Sequence, residues 1–210
     1  EYMQALLFQT IDTLNNLVDS GDRILKIQAV LSGSLNFIFN NFKKPDTFHE
    51  IVLKAKEEGY TEPDPKIDLS GVDVARKILI LARESGMKLE LDQIKNKSFL
   101  PEESINSKDE KSFIESLVKH KSIFNLLLEN ANKNNSRLKY VAELENGKAG
   151  VGLKEVEKGH DFYNLKGSDN IVLFYTNRYF EQPLIVKGAG AGADVTAAGI
   201  FADIIRIGKK

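Results

Sequence analysis

The sequence has no cysteine, almost no net charge and no long apolar run. The absence of cysteine excludes disulfides, thiolate metal sites and cysteine nucleophiles. The 29 Lys and Arg residues balance 30 Asp and Glu residues, so a net charge of −1 offers no electrostatic footprint for nucleic acid or an anionic membrane. No apolar run reaches the roughly 18 residues that a membrane span needs, and the first residues lack the basic region of a signal peptide. We therefore expect a soluble, cytoplasmic protein without nucleic-acid or membrane partners.

What the sequence does contain is 42% apolar residues in 210 positions, enough for one large domain or two small ones. Helical spacing of apolar residues dominates the first two thirds of the chain, and alternation with a period of two dominates the last third. Asn146-Gly147 between two alternating runs is typical of a β-hairpin, and Glu102 to Glu110 is polar enough to be a mobile loop. Because no clean βαβ alternation occurs, the pattern predicts an α+β (mixed α/β) fold with a largely antiparallel sheet covered by helices. The predicted helices are residues 2–18, 35–42, 47–58, 72–85, 108–132 and 195–207, and the predicted strands are residues 24–31, 138–144, 149–156, 170–175 and 184–187.

An acidic segment followed by a lysine is the first candidate site. The acids Glu62, Asp64, Asp68 and Asp73 fall within twelve residues. Lys77 follows Asp73 by one helical turn, so the two share a helix face. The helix then continues with apolar residues, which places Lys77 where the helix enters the core and where its ammonium needs a carboxylate. Two interpretations remain open: a proton-transferring lysine tuned by burial and by Asp73, or a structural ion pair whose lysine snorkels to solvent.

Two segments of small residues are candidate sites for an anionic group. Gly188, Gly190 and Gly192 follow a predicted strand and precede a helix, where backbone N–H groups approach a ligand. Their spacing is not that of GxGxxG, and the 18 residues after Gly192 leave no room for the second strand of a Rossmann unit. Ser32-Gly33-Ser34 also lies between a strand and a helix. Each segment has a structural alternative, a tightly packed turn for the glycines and a helix N-cap for Ser32.

The histidines give no sign of a metal centre. His49, His120 and His160 are isolated from one another, and none has a second histidine at metal-ligand spacing. The sequence also has no Gly-x-Ser-x-Gly elbow and no P-loop. We therefore predict no metal site.

Three motifs resemble those of the homoserine dehydrogenase family. The first runs Gly59-Tyr60-Thr61-Glu62-Pro63-Asp64-Pro65 and continues as Asp68-Leu69-Ser70-Gly71-x-Asp73-Val74-Ala75-Arg76-Lys77. The second is Gly188-Ala189-Gly190-Ala191-Gly192-Ala193-Asp194-Val195-Thr196-Ala197-Ala198-Gly199, and the third is Leu31-Ser32-Gly33-Ser34-Leu35-Asn36, which is similar to the family's Gly-Thr-x-Asn turn. Ser20-Gly21-Asp22 and Phe201-Ala202-Asp203-Ile204-Ile205 are most like the dehydrogenase portion of bifunctional aspartokinase/homoserine dehydrogenase. The resemblance covers about Ile11 to Lys210.

The resemblance implies an oxidoreductase that uses NADP or NAD to reduce L-aspartate 4-semialdehyde to L-homoserine, a step of threonine, methionine and isoleucine biosynthesis. It implies that Lys77 is the general acid that protonates the developing alkoxide and that Asp73 orients it. Glu62 and Asp68 would bind the substrate, in part through its ammonium group.

The resemblance also places backbone-rich segments at the site. Gly33 and Ser34 are expected to contribute to substrate binding, and Gly59 and Gly192 to lie against the nicotinamide nucleotide. Ile67 stands where the family often has another acid, so that auxiliary carboxylate is missing.

The first ten residues do not match the family's glycine-rich, cation-binding loop, and no Rossmann domain precedes the matching segment. We expect residues 11–210 to form the catalytic, substrate-binding and oligomerisation domain and residues 1–10 to be a non-matching segment. The chain is then a fragment of a longer bifunctional protein that by itself turns over little or no substrate.

A second copy of the chain is the expected macromolecular partner. Strands in the last third, such as Leu138 to Leu144, are expected to pair across a two-fold axis in a homodimer or higher homo-oligomer. Two other functions remain open. One is a non-enzymatic dimerisation module that retains the family fold, and the other is a dehydrogenase for a different small amino-acid aldehyde.

Overall fold

The computed structural model describes residues 5–190 and 192–209, built around one six-stranded sheet. The strand order is β2-β4-β3-β1-β5-β6, and every neighbouring pair is antiparallel except β2 with β4. The predicted mixed α/β fold with a largely antiparallel sheet is confirmed. The strands are β1 (Ile24–Val30), β2 (Lys95–Lys97), β3 (Arg137–Glu145), β4 (Lys148–Val156), β5 (Asp169–Thr176) and β6 (Leu184–Ala189). The helices are α1 (Ala5–Asp19), α2 (Gly33–Asn41), α3 (Phe48–Glu57), α4 (Pro65–Leu69), α5 (Val72–Glu84), α6 (Glu102–Ile105), α7 (Glu110–Lys119), α8 (Lys121–Lys133) and α9 (Ala193–Gly208).

Local sequence signals set most of these boundaries. The Thr47 and Glu50 side chains form a capping box at the start of α3. Asn146 and Gly147 have φ values of 52° and 72°, the left-handed pair that a two-residue hairpin needs between β3 and β4. Pro65 is the first residue of α4, where its missing N–H has no helical acceptor to lose. Residues 1–4 of the predicted first helix, Ala191 and Lys210 lie outside the described residues.

The main core lies between one face of the sheet and the helices. Tyr140, Ala142 and Leu144 of β3 point to this face and are almost fully buried. Helix α5 contacts both β3 and β4, so its apolar side, including Ile78, closes the core. A smaller apolar cluster on the opposite face is covered by Phe162 and Leu165 from the segment between β4 and β5. This packing anchors the first turn of α5, which carries Asp73.

The prediction that β3 pairs across a two-fold axis is wrong. Residues 138–144 lie inside β3, which is hydrogen-bonded to β4 on one side and to β1 on the other. All of residues 137–145 are paired with β4 and residues 142–145 are also paired with β1, so β3 is an inner strand of the sheet and not an exposed edge. The outer strands of the described sheet are β2 and β6.

The interpretation of Glu102 to Glu110 as a loop is wrong in part. Residues 102–105 form α6, and Ser104 is fully buried, where its Oγ accepts a hydrogen bond from Ser116. The polar Asp109 accepts from the Ser112 backbone N–H and caps α7. Strand β2 was not predicted, because Lys95-Asn96-Lys97 is wholly polar and exposed. None of the described helices is both long and apolar enough to cross a membrane.

Candidate active site

Four segments meet around a cavity of about 520 Å³. They are the N-terminus of α2, the residues on either side of α4, the first turn of α5 and the glycines before α9. Seven of the eight predicted site residues line the cavity, and the eighth, Lys77, lies behind its wall. The lining residues are Ser32, Gly33, Ser34, Gly59, Tyr60, Thr61, Glu62, Asp68, Asp73, Val74, Ser168, Gly190 and Gly192.

Lys77 is held one helical turn deeper than Asp73. Its Nζ lies 2.5 Å from the Asp73 Oδ2 and donates a 3.0 Å hydrogen bond to the backbone oxygen of Leu31. The Lys77 side chain is 6% exposed, whereas the Asp73 side chain is 56% exposed and reaches the cavity. The expectation that Lys77 snorkels to solvent in a structural ion pair is therefore wrong, whereas proton transfer by Lys77 stays a prediction. The i,i+4 spacing therefore places a buried ammonium directly behind a cavity-facing carboxylate.

Burial and two carboxylates set the proton affinity of Lys77 in opposite directions. Burial lowers the pKa of the Lys77 ammonium below its usual value because the charged form loses its hydration. The neighbouring Asp73 opposes this effect, and the Asp68 carboxylate contributes in the same upward sense. The net result is an amine with a lowered pKa that retains an acidic partner. A lowered pKa makes the ammonium a stronger acid than an exposed lysine, which favours donation of its proton.

Asp68 connects two walls of the cavity. Its Oδ1 accepts a 2.9 Å hydrogen bond from the Ser34 hydroxyl, and its Oδ2 accepts one of 2.9 Å from the Glu62 backbone N–H. Burial raises the pKa of the Asp68 carboxyl, although both hydrogen bonds oppose the rise. Glu62 is exposed, so its own carboxylate projects from the rim while its backbone is held in place.

The N-terminus of α2 confirms the structural interpretation of Ser32. The Ser32 Oγ accepts a 3.1 Å hydrogen bond from the Leu35 backbone N–H, which makes Ser32 the N-cap. The same oxygen lies 3.0 Å from the Ser34 Oγ, so a chain of hydrogen bonds runs from the cap through Ser34 to Asp68. The first backbone N–H groups of any helix have no intrahelical acceptor, and here they belong to cavity-lining residues. Carboxylate binding at Gly33 and Ser34 remains a prediction.

The glycine segment forms a rim with little side-chain volume. A Cβ on Gly190 would lie 2.3 Å from the Asn170 Nδ2, so the chain packs directly on that buried amide. Gly192 has φ = 141°, a backbone conformation that L side chains rarely adopt. On the facing rim, Gly59 has φ = 76° with open space where a side chain would point. These features fit the close approach of a flat nucleotide ring and equally fit the structural alternative of a tight turn.

Tyr60 and Ser168 are among the cavity residues that were not predicted as site residues. Tyr60 stacks on Phe37 with ring centroids 4.0 Å apart, which holds it at the rim. It lies inside the recognised motif, so its sequence position was an available signal. Ser168 comes from the segment before β5, and no local pattern links it to α2. Its backbone oxygen would lie only 3.1 Å from a Cβ on Gly33, so the two segments are in direct contact.

No metal-binding cluster accompanies the cavity. Within residues 5–190 and 192–209, no three His, Asp or Glu side chains come together as a set of ligands for a metal ion. The groups at or behind the cavity wall that can bind substrate or move a proton are the Lys77 amine, the Asp and Glu carboxylates and the backbone N–H groups.

The chain is similar to known proteins over almost its whole length. The homoserine dehydrogenase family profile matches residues 10–205. The chloroplastic bifunctional aspartokinase/homoserine dehydrogenase 2 of Zea mays is 46% identical over 199 residues, which is 94% of this chain and 22% of that protein. The homoserine dehydrogenase of Schizosaccharomyces pombe is 43% identical over 205 residues, which is 94% of this chain and 54% of that protein.

A solved structure has the same fold. The crystal structure of a protein of unknown function from Candida auris superimposes with a TM-score of 0.92 at 38% identity, covering 100% of this chain and 60% of that one. The chain thus spans about a fifth of the bifunctional relative and about half of the single-function relative.

Proposed function

The chain belongs to the homoserine dehydrogenase family, and we propose that it is the catalytic part of an enzyme that reduces L-aspartate 4-semialdehyde to L-homoserine with NAD(P)H. The observation that carries the proposal is the Lys77 ammonium, 2.5 Å from Asp73 and behind a cavity whose rim holds Glu62 and Asp68. The assignment covers residues 11–210 as one catalytic and oligomerisation domain of a longer bifunctional protein.

Lys77 is assigned the role of general acid. Reduction of an aldehyde places negative charge on its oxygen, and that oxygen needs a proton as the carbon–oxygen double bond is lost. Two of the three Lys77 N–H groups are used by Asp73 and the Leu31 carbonyl. The third is assigned to the aldehyde oxygen of a substrate that lies against Asp73, at the part of the cavity wall behind which Lys77 is buried. Asp73 orients the amine and stabilises its charged form before transfer.

The carboxylates of the rim are assigned to the substrate ammonium. Glu62 is the better placed, since it is exposed at the rim and its carboxylate is not needed to hold the loop. Asp68 already accepts hydrogen bonds from Ser34 and the Glu62 backbone. It adds negative charge at the cavity and fixes the position of Glu62. Gly33 and Ser34 offer backbone N–H groups to the substrate carboxylate.

The nicotinamide cofactor, NADP or NAD, supplies the hydride when it is bound. Gly59 and Gly192 would lie against it, because neither carries a side chain between the main chain and the ring. Support for this comes from the open space at Gly59 and from the glycine-only φ of Gly192. A second copy of this chain is the proposed macromolecular partner, and β2 and β6 are the strands whose outer edges could take part.

Substrate selectivity tests the assignment in the full-length protein. The value of kcat/KM for aspartate semialdehyde should be at least about 100-fold higher than that for succinic semialdehyde, which lacks only the α-amino group. The reason is that a site built to bind a charged group rejects an analogue without that group. The measurement is NADPH or NADH oxidation with each aldehyde. Equal kcat/KM values would contradict the substrate, and no oxidation with any aldehyde would favour a non-enzymatic module.

Glu62→Gln tests the ammonium contact. KM for aspartate semialdehyde is expected to rise about tenfold or more, since the substrate ammonium loses the negative charge of its partner, while the rate with succinic semialdehyde stays the same. Glu58→Gln is the matched control, because Glu58 is also exposed, pairs with Lys54 at 3.9 Å and lies outside the cavity. A Glu62→Gln enzyme with unaltered KM would assign the ammonium to another group.

A further inference from the structure

Lys139 is a fully buried lysine that no motif marks and the proposed chemistry does not use. Its Nζ donates three hydrogen bonds, at 2.9 Å to Asn36 Oδ1, 2.7 Å to Asn40 Oδ1 and 2.7 Å to the Leu165 backbone oxygen. All three N–H groups are therefore used, and all three acceptors are neutral. Among the described residues Lys139 makes no ion pair. An ammonium buried without a carboxylate is costly, so its retention calls for a role.

The partners of Lys139 hold an irregular segment of the chain against α2. The Asn36 Nδ2 donates to the backbone oxygens of Gly167 at 3.1 Å and Asp169 at 3.0 Å. The Asn40 Nδ2 donates to the same Gly167 oxygen at 3.0 Å. Together with the bond from Lys139 to Leu165, three backbone carbonyls of residues 165–169 are fixed by one network. Lys139 is its centre, because it also fixes the acceptor ends of both asparagine amides.

The segment held in this way is a wall of the active-site cavity. Ser168 lies between the fixed carbonyls of Gly167 and Asp169 and lines the cavity beside Gly33. The contact between these two residues is close, since a Cβ at position 33 would lie 3.1 Å from the Ser168 backbone oxygen, tighter than most Cβ contacts. A displacement of residues 165–168 would therefore open the wall next to the N-terminus of α2.

We propose that Lys139 is a positioning residue that holds residues 165–168 against α2 and so sets the shape of the substrate cavity at Gly33 and Ser168. The link to substrate rests on the proposed function, whereas the hold on the segment does not. Lys139 is not proposed to touch substrate or cofactor; it acts directly on the Leu165 carbonyl and through Asn36 and Asn40.

The surroundings of Lys139 make this hold sensitive to pH. Burial, and then the charge of nearby Arg137, lower the pKa of Lys139 to about 7. Helix α2 carries no charged residue. The cross-strand neighbour Lys154 is paired with Glu143, and Lys166 is exposed. When the Lys139 ammonium loses a proton, its amine has two N–H donors left for the three acceptors on Asn36, Asn40 and Leu165. The hydrogen bonds that hold residues 165–168 therefore weaken as the pH rises through about 7.

Hydrogen–deuterium exchange and kinetics of the full-length protein test the proposal. Lys139→Met keeps the apolar stem and removes the three donors. We expect backbone exchange in residues 163–170 to become at least about fivefold faster, and KM for aspartate semialdehyde to rise about tenfold with kcat within about threefold. Lys154→Met, on the adjacent strand and about half-exposed, is the matched control and should alter neither.

Unchanged exchange in a folded Lys139→Met protein would overturn the proposal, whether or not the protein reduces the semialdehyde. Faster exchange with an unaltered KM would overturn the link to the cavity. If Lys139→Met does not fold, Asn40→Asp decides, because a carboxylate beside Lys139 favours the charged amine. Hydrogen exchange in residues 163–170, corrected for intrinsic exchange, should then accelerate at a pH about one unit or more higher than in the unsubstituted protein. Acceleration at the same pH as in the unsubstituted protein would refute the proposal.

Discussion

Lys77→Met in the full-length protein is expected to lower kcat by roughly 10²–10⁴-fold while KM for aspartate semialdehyde changes little. The substitution removes the amine that lies 2.5 Å from Asp73 and preserves the length and apolar stem of the side chain. Because proton transfer occurs only in the transition state, its loss acts on kcat and not on ground-state binding. The measurement is steady-state NADPH or NADH oxidation over a range of aldehyde concentrations.

The fold should tolerate this substitution, so a loss of kcat can be attributed to the missing proton donor and not to unfolding. Methionine removes a buried charge, which offsets the hydrogen bond lost at the Leu31 carbonyl. The control is Lys54→Met, which breaks another i,i+4 ion pair, that of Lys54 with Glu58, exposed on α3. We expect Lys54→Met to retain kcat. A folded Lys77→Met protein with unaltered kcat would remove the general-acid assignment and favour a module that keeps the fold without the activity.

Gly71→Ala is expected to destabilise the protein by about 3 kcal/mol or more. Gly71 is the N-cap of α5 with φ = 72°, a left-handed conformation that is strained for alanine. An added Cβ would also lie 1.9 Å from the Tyr140 hydroxyl oxygen. Tyr140 is buried, and its hydroxyl donates to Asn96, whose amide in turn donates to the Ser70 carbonyl. The clash therefore cannot be relieved without disturbing the turn that leads into Asp73 and Lys77.

Gly147→Ala is the control that separates the backbone strain of an alanine at positive φ from the steric clash with Tyr140. Gly147 has the same φ of 72° but no atom within 4 Å of the position that a Cβ would take. Gly147→Ala should lower the free energy of unfolding by about 1–2 kcal/mol, because only the backbone strain acts there. The difference in destabilisation between Gly71→Ala and Gly147→Ala therefore measures the contact with Tyr140. Urea unfolding of both proteins gives the two free energies of unfolding. Equal costs would show that Tyr140 moves aside freely, which would contradict a rigid support beneath α5.

Tyr140→Phe in the Gly71→Ala background extends the test. Removal of the Tyr140 hydroxyl should recover part of the stability lost in Gly71→Ala if the alanine Cβ clashes with that hydroxyl oxygen. The hydrogen bond from Tyr140 to Asn96 is absent in this variant. The coupling free energy from the double-mutant cycle, which compares the unsubstituted protein, the two single variants and the double variant, should be about 1 kcal/mol or more. Burial raises the pKa of Tyr140 to about 12, so the neutral hydroxyl is present throughout the usual pH range of such measurements.

Much of the candidate site could be read from the sequence because its residues lie in one short segment. Glu62, Asp68, Asp73 and Lys77 span sixteen positions, and the i,i+4 rule together with the apolar continuation of the helix predicted both the pairing and the burial of Lys77. Gly33 and Gly192 were predicted through motifs at the ends of strands, and they line the same cavity. Their roles remain predictions, since the geometry brings them together without a ligand.

Long-range contacts escaped prediction for a consistent reason. The position of β3 in the middle of the sheet depends on β1 and β4 competing for its two edges, and nothing within residues 138–144 encodes that choice. Lys139 read as an ordinary strand lysine, because its acceptors on α2 are about a hundred positions away. Ser168 was missed in the same way.

Local features follow from neighbouring residues alone: the capping box of α3, the Asn146-Gly147 turn, the proline start of α4 and the shared face of Asp73 and Lys77. Each depends on dihedral preferences and hydrogen bonds within one or two turns of chain. The tertiary structure alone decided the strand order, the Gly33–Ser168 wall and the burial of Lys139. Those depend on which distant surfaces exclude water together, and that free energy belongs to the whole packed chain.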